Sequence, residues 1–340
     1  MNVGKLSESI LKRSVLKYVQ PNSIACDSTF RLEQGAKIGA DCALFAVSDK
    51  DKFDKDKDKL AVASGVSVGR NRRVVAEALI NACNNLACSG AKAIGAQITL
   101  TLPEAVFESE LKHMMEEAAA FAAAHQVDIL GGHTMVNAGV TEPVAAVTVI
   151  GHSSDFEAKQ VKPGMDVVMS KWIGLQGTAK IASIKEEELL KRLPKRMIRE
   201  AATFDTYMSI VPEARIAAEH GVCAMHDVSG GGIFRALWEL SEAAEGGIRI
   251  ELKKIPIRQE TVEVCEVFGL NPYELLSGGA LLMVTEHGDR LVEALAEAGI
   301  FAEVIGVITD NNDRVLVTHC AESDEIRFLE RPKTDEIDKL

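Results

Sequence analysis

Five short segments combine glycine with side chains able to hold an anion or a cation: Gly39-Ala40-Asp41-Cys42-Ala43, Ala63-Ser64-Gly65-Val66-Ser67, Asn84-Asn85-Leu86-Ala87-Cys88-Ser89-Gly90-Ala91, Gly131-Gly132-His133-Thr134 and His226-Asp227-Val228-Ser229-Gly230-Gly231-Gly232. Glycine permits positive φ and close backbone approach, and N–H groups exposed ahead of a helix can hold a phosphate. Asp41 offers a hard carboxylate, Asn85 a neutral carbonyl oxygen, and His133 a softer imidazole that with Asp41 would suit zinc or manganese better than magnesium. His226 beside Asp227 is a candidate proton-transfer pair, although strand neighbours point to opposite faces. The structural alternative is that Asp227 caps a helix starting near Gly231 while His226 makes a core hydrogen bond. Taken singly, each segment is also what an ordinary turn looks like.

The surrounding pattern is α+β with α/β-like alternation. Leu6, Ile10, Leu11, Val15 and Val19 are spaced for a helix, and apolar runs 42–47 and 60–66 flank a solvated Asp/Lys loop as a long hairpin. A helix is expected over 70–88, a strand over 94–102, and an Ala-rich helix from the Leu102-Pro103-Glu104 start to about His125. A short strand, 127–130, should end in the Gly131–Thr134 loop, and a strand over 143–151 follows. Lys162-Pro163-Gly164 marks the passage to a second half, giving domains 1–155 and 156–340. There the expected helices are 178–184, 194–219, 232–244, 259–268 and 289–298. Lys195, Arg196 and Arg199 fit a solvated helix face better than a phosphate contact. The charged stretch 322–340 should wrap the surface or fray.

In order and spacing these segments resemble the AIR synthase superfamily, which includes aminoimidazole ribonucleotide synthetase, selenophosphate synthetase, thiamine monophosphate kinase and the hydrogenase-maturation protein HypE. Its Gly-Asp-Asp-Ala-like loop corresponds to Gly39–Ala43, its Ser-Thr-Asp segment to Ser64-Gly65-Val66, its Asn-Asp-Leu-Ala-x-x-Gly-Ala helix to Asn84–Ala91, and its Gly-Gly-Asp-Thr loop to Gly131–Thr134. His226–Gly232 corresponds to the second domain's His-Asp-x-Thr-x-Gly-Gly, and Lys171–Thr178 to the turn that opens that domain. The resemblance spans nearly the whole chain and is nearest the HypE-like branch. It implies a two-domain PurM-like fold, with an N-terminal domain that pairs in a homodimer across a shared β-barrel and a C-terminal α+β domain. It also implies ATP with magnesium, and phosphoryl transfer to a small substrate. Carried over residue by residue, Asp41, His226 and Asp227 are the catalytic candidates. Gly39, Ser64, Asn84, Asn85, Gly131, Gly132, His133, Thr134, Gly230, Gly231 and Gly232 are the cofactor contacts, and Asp41, Asn85 and His133 the metal set.

The departures matter as much. Val66, Asn85 and His133 stand where the family has aspartates, leaving Asp41 alone and arguing against an ordinary magnesium site. HypE proteins end in a cysteine that accepts a carbamoyl group; here the last cysteine is Cys320, so carbamoyl dehydration is not expected. The alternative to an enzyme is a degenerate relative acting as a sensor or as an assembly partner in a maturation complex. Composition narrows the rest: 340 residues, net charge −12 and 47% hydrophobic residues describe a globular protein without a nucleic-acid footprint. No apolar run approaches the ~20 residues of a membrane span, so a cytoplasmic protein is expected. Seven scattered cysteines fit reduced core thiols.

Overall fold

The computed structural model describes residues 8–17, 30–35, 38, 40, 42–47, 59–153, 159–320 and 324–340. They form two compact units, one holding residues 40–153 with the strand at 30–34, the other residues 159–340 with 8–17 and 38. In the second of these, a helical turn α1 (Glu8–Leu11) runs into a π-turn at Lys12–Leu16, shorter than the spacing of apolar residues suggested.

The first unit is one six-stranded sheet with two helices. Its strands are β1 (Phe30–Gln34), β2 (Ala43–Val47), β3 (Lys59–Val68), β4 (Lys92–Leu102), β5 (Asp128–Val136) and β6 (Val144–Ser153), in the order β1-β2-β3-β6-β4-β5. All neighbours are antiparallel except β4 and β5. Within one chain the sheet is open, with β1 and β5 at its edges. Alternation sets its two faces: Ala96, Ile98 and Leu100 on β4 and Ala145, Val147 and Val149 on β6 are buried, while Gln97, Thr99 and Thr148 are exposed. The helix α2 (Val74–Ala87) is apolar nearly all round and covers the buried face. Its approach is close enough to require glycine, since a Cβ at Gly65 would fall 2.3 Å from the Ala78 carbonyl oxygen and one at Gly151 2.6 Å from Leu86 Cδ2.

The Ala-rich helix α3 (Glu108–Ala124) begins four residues later than the Pro103 signal suggested. Glu110 explains the shift. Its Oε2 accepts from the Phe107 N–H at 2.8 Å, and its carboxylate takes a two-pronged pair from Arg70 at 3.0 and 3.1 Å. That Arg70 pair and the Phe107 N–H hold the Glu110 carboxyl below its usual range.

The second unit holds a seven-stranded sheet of β7 (Asp166–Ser170), β8 (Ala224–Val228), β9 (Gly247–Glu251), β10 (Ala280–Thr285), β11 (Ala302–Thr309), β12 (Arg314–Thr318) and β13 (Glu325–Phe328), ordered β13-β12-β9-β11-β7-β10-β8. Its helices are α4 (Leu175–Ile184), α5 (Glu186–Leu189), α6 (Lys195–Ala202), α7 (Val211–Glu219), α8 (Gly232–Ala244), α9 (Gln259–Phe268) and α10 (Gly288–Glu297). One core packs α8, through Ile233 and Leu237, on Val228, Leu282 and Met169; a second joins α4, α6 and α9 through Ile181, Ile198 and Val264. No helix among the described residues is long and apolar enough to cross a membrane.

One expectation fails here for a definable reason. The helix foreseen over 194–219 is broken by a 3-10 turn at Thr203–Tyr207, because Pro212 cannot lie inside a continuous helix and instead takes the second position of α7. Of the two courses expected for 322–340, residues 324–340 follow the ordered one. They add β13 to the sheet edge beside β12 and then bury Leu329, Asp335 and Glu336. The exposed Lys195, Arg196 and Arg199 do form a solvated face of α6.

The carbonyls released at the 203–210 break are taken by a buried cation. Lys171, at φ +55°, donates from Nζ to the Tyr207 and Ser209 carbonyls at 2.8 Å each and pairs with Glu213 at 2.5 Å. Burial pulls the Lys171 pKa down, and Glu213 opposes that shift. Glu213→Gln should therefore cost about 3–5 kcal/mol at pH 7, the penalty of a buried charge left alone. Without Glu213 the folded chain sheds the Lys171 proton more readily than the unfolded chain does. Stability of the variant then rises with pH towards the ordinary lysine pKa of about 10.4. Urea unfolding at several pH values reads this directly; a deficit that is absent, or constant from pH 7 to 10, contradicts it.

Candidate functional site

Of the candidate residues, Gly39 and Asp41 lie outside the described residues. The others fall into two places, one in each unit; the glycine turn expected after 226–228 is present in the second, whereas those expected at 63–67 and 131–134 in the first are strand. Segment 63–67 lies inside β3, and Gly131–Thr134 lies inside β5, which runs through it to Val136. Gly131 and Gly132 are extended with positive φ, +141° and +149°. They keep β5 parallel to β4 rather than turning the chain, and Leu130 is looped out as a bulge opposite the Ala96–Gln97 step.

This turns a supposed phosphate nest into a strand face. Register across the sheet aligns Ser64, Thr148, Gln97 and Gly131 in one row and Val66, Ala146, Thr99 and His133 in the next. Ser64, Val66, Thr148, Gln97, Thr99 and His133 are all exposed there, and Ser64 and Thr148 share a 3.0 Å hydroxyl contact. Asn84 is buried in α2, whereas Asn85 donates from Nδ2 to the Ser64 carbonyl at 2.9 Å. Asn85 thus sits at β3. His133 stands three strand spacings away on β5, about 14 Å. Asn85 and His133 therefore do not meet around one ion within the chain. Among the described residues no group of three or more His, Cys, Asp or Glu side chains could hold a metal. Donors and acceptors suited to phosphate oxygens line this face instead.

In the second unit, β8 carries His226 and Asp227 on opposite faces, both buried. His226 Nε2 lies 3.4 Å from Glu239 of α8, and Glu239 also pairs with Arg331 at 3.3 Å. The turn that follows β8 has two consecutive left-handed glycines, Gly231 at φ +84° and Gly232 at φ +64°, and a Cβ at Gly232 would fall 2.4 Å from the Tyr273 carbonyl oxygen. The carboxylate at the start of α8 comes from far along the chain. Asp335 Oδ2 accepts from the Gly231 N–H at 2.6 Å, and its Oδ1 accepts from Leu276 and Ile337 N–H groups at 3.0 Å each. Burial raises the Asp335 pKa, and the three amide hydrogen bonds oppose the rise. Sequence reasoning missed Asp335, Arg235 and Glu239. The one local signal was Asp335 two residues before Ile337, the spacing at which an aspartate caps its own turn.

The thiols behave as expected of core cysteines. Among the described residues, all are free and all but Cys320 are buried, and burial pushes the Cys83 and Cys265 pKa values up to about 12.

Comparison with known proteins places this geometry. The family model for the AIR synthase related protein N-terminal domain matches residues 39–153, and that for the C-terminal domain matches residues 162–318. A Methanocaldococcus jannaschii protein named for hydrogenase expression/formation is 26% identical over 331 residues, covering 92% of this chain and 91% of that one. The carbamoyl dehydratase HypE of Rhodobacter capsulatus is 28% identical over 217 residues, 62% of each chain. Among solved structures, a HypE-HypF complex matches with TM-score 0.69 at 21% identity, covering 87% of this chain and 94% of that chain. HypE in complex with ATP matches with TM-score 0.65 at 15% identity, covering 98% and 97%. At such identities these structures establish the shared fold.

The β5 glycines give a paired test of whether this strand is fixed as described. A Cβ at Gly132 would lie 1.7 Å from the Ile98 carbonyl oxygen, whereas one at Gly131 meets nothing within 4 Å. Gly131→Ala should cost only backbone strain, about 1–3 kcal/mol. Gly132→Ala should cost clearly more and detach β5, seen as lost amide protection over 128–136. Equal costs for the two variants contradict the described register.

Proposed function

Because the chain belongs to the AIR synthase-related proteins, in their HypE-like branch, we propose that it binds ATP and transfers a phosphoryl group to a small carboxamide, carboxylate or amine-bearing substrate. The observation that supports this reading is the exposed polar face formed by Ser64, Thr148, Gln97, Thr99 and His133, with Asn85 tied to the same strand as Ser64. Phosphoryl transfer asks a protein mainly for positioning and charge stabilisation. Hydroxyl, amide and imidazole donors suit the first task, and ATP when bound supplies the electrophilic phosphorus. Ser64, Thr99, Thr148 and His133 would hold phosphate oxygens. Asp41 would supply the site's negative charge, at the position of the family's first loop carboxylate.

The described donors do not fit a magnesium ion held by protein carboxylates, since Val66 offers no ligand and Asn85 and His133 stand at different strands. No step is therefore assigned to that ion. The reaction differs from carbamoyl dehydration in this reading, because the thiol nearest the end of the sequence, Cys320, follows directly on the paired strand β12. The replaced aspartates also favour a second reading, a catalytically silent relative that serves as a sensor or as a partner in a maturation complex.

Calorimetric titration with ATP, with and without magnesium, tests both. The enzyme reading expects micromolar binding, weakened about tenfold or more in Asp41→Ala, a loss of at least 1.4 kcal/mol, together with phosphate release from ATP on a substrate panel. Binding without any phosphate release favours the silent relative, in which Val66→Asp with Asn85→Asp should raise magnesium-dependent affinity. Absence of ATP binding overturns the enzyme reading and favours the silent partner.

We further propose a homodimer formed through the β5 edge. All nine residues of β5 are exposed, including Leu130 and Val136 at 59% and 62%, and an edge with this much apolar surface calls for a partner strand. Light scattering at micromolar concentration should give twice the chain mass, falling to one chain in Leu130→Lys with Val136→Lys; a monomeric wild-type protein overturns the pairing.

A further inference from the structure

Exposed cations of the second unit can find a carboxylate nearby: Arg215 pairs with Glu219 and Lys254 with Glu251. Five cations that do not lie together. Lys191, Arg192, Lys195, Arg196 and Arg199, on α6 and the turn before it, are all exposed, and none pairs with an acidic side chain among the described residues. The other face of α6 is buried through Ile198 and Ala201, so these side chains have only solvent to face. Their spacing does not suit one small anion. Lys195 and Arg199 stand one turn apart, about 6 Å along the helix axis, and Lys191 and Arg192 lie beyond the helix start.

The same surface continues into a ladder of aromatic rings. Glu200, one turn on from Arg196, lies 3.6 Å from the Arg258 guanidinium, which stands 5.1 Å from the Trp172 ring centre. Trp172 stacks on Phe301 with centres 5.6 Å and planes 5° apart, and Tyr207 meets it edge-on at 5.7 Å. Phe301 and Tyr207 are nevertheless 45% and 39% exposed. Aromatic rings beside arginines are the side chains that carry most of the binding energy in protein interfaces. We infer that α6 with the Trp172–Phe301 ladder docks an acidic segment of another protein, an extended stretch with an aromatic or aliphatic side chain among its carboxylates.

Charge and spacing select that occupant. Alternate side chains of an extended peptide are about 6.6 Å apart, close to the Lys195–Arg199 step, and its apolar side chain can pack on the open part of Phe301. Glu186 and Glu187 of α5, both exposed, repel such a segment and so confine its carboxylates to α6. A long polyphosphate chain fits less well, because the protein's net charge of −12 opposes it along its length. A short peptide senses only charges within a screening length of about 8 Å. The inference uses none of the residues assigned to ATP and is tested without nucleotide.

Fluorescence anisotropy on the full chain tests this with a labelled peptide of sequence Asp-Glu-Asp-Phe-Glu-Asp-Leu-Glu-Asp. Binding should weaken about fivefold as salt rises from about 50 to about 300 mM, and about tenfold or more in Lys195→Glu with Arg199→Glu. Both positions are exposed, so the fold is kept. Arg215→Glu with Arg290→Glu, on α7 and α10, makes the same change in net charge and should weaken binding less than twofold. Equal losses in the two pairs, or no binding by the wild-type chain, overturn the docking surface. Phe301→Ala should weaken binding about threefold or more while leaving the salt dependence as it was; an unchanged affinity overturns the part given to the ladder. A single-stranded oligonucleotide of the same charge, and vesicles of phosphatidylglycerol, serve as competitors. Tighter binding of either than of the peptide overturns the assignment to a protein segment. Carbodiimide coupling of the peptide to the wild-type chain needs no variant. It should fall on Lys191 and Lys195, and coupling spread evenly over the lysines contradicts the proposal.

Discussion

A buried backbone donor must be given an acceptor, and the second unit is organised around meeting that demand at one turn. Gly231 and Gly232 can adopt left-handed φ because neither carries a side chain, and this lets α8 start directly beneath the 273–277 segment. The cost is a set of inward-facing amides at a helix start. A carboxylate held by three of them is a charge-assisted contact, each hydrogen bond contributing about 1.5–3 kcal/mol. That contact explains the ordered course of the final residues. Glu336 reinforces it by accepting from the Asn271 N–H at 3.0 Å, so the same short turn closes over two loops.

The first unit is governed by a different constraint, the distance between a helix and a sheet. Gly65 and Gly151 let α2 come within backbone contact of β3 and β6. Once α2 is seated there, the period of two along each strand leaves Ser64 and Val66 no choice but the opposite face. These side chains are therefore displayed by packing, not by loops. Val66, 58% exposed, is an apolar side chain on this otherwise polar face.

The parts of the fold legible in the sequence were those set by periodicity. Helices α8 and α9 run over the residues that their apolar spacing marked, and β4 and β6 follow their alternation within two residues. The failures share a cause, which is that glycine and proline report local freedom and not its use. Gly131-Gly132 reads as a turn, yet the pairing with β4 holds both residues extended, and a register bulge at Leu130 is not visible from composition. Pro212 rules out one continuous helix over 194–219, but that Lys171 takes the Tyr207 and Ser209 carbonyls the break releases is a tertiary contact that no local pattern shows. Asp335 was hidden most completely, since its partners lie 59 and 104 residues away.

The two units thus treat charge differently. The sheet face is exposed and carries no charge pair among its described residues; Ser64 and Thr148 meet each other there. In the turn below α8, charge cannot simply be dropped, because Arg235 is buried and its unmet donors would be left beside bare amides. Asp335 is the anion that stands there, and because its carboxylate is the acceptor for three amides from three separate segments, it ties the end of the chain to the start of α8.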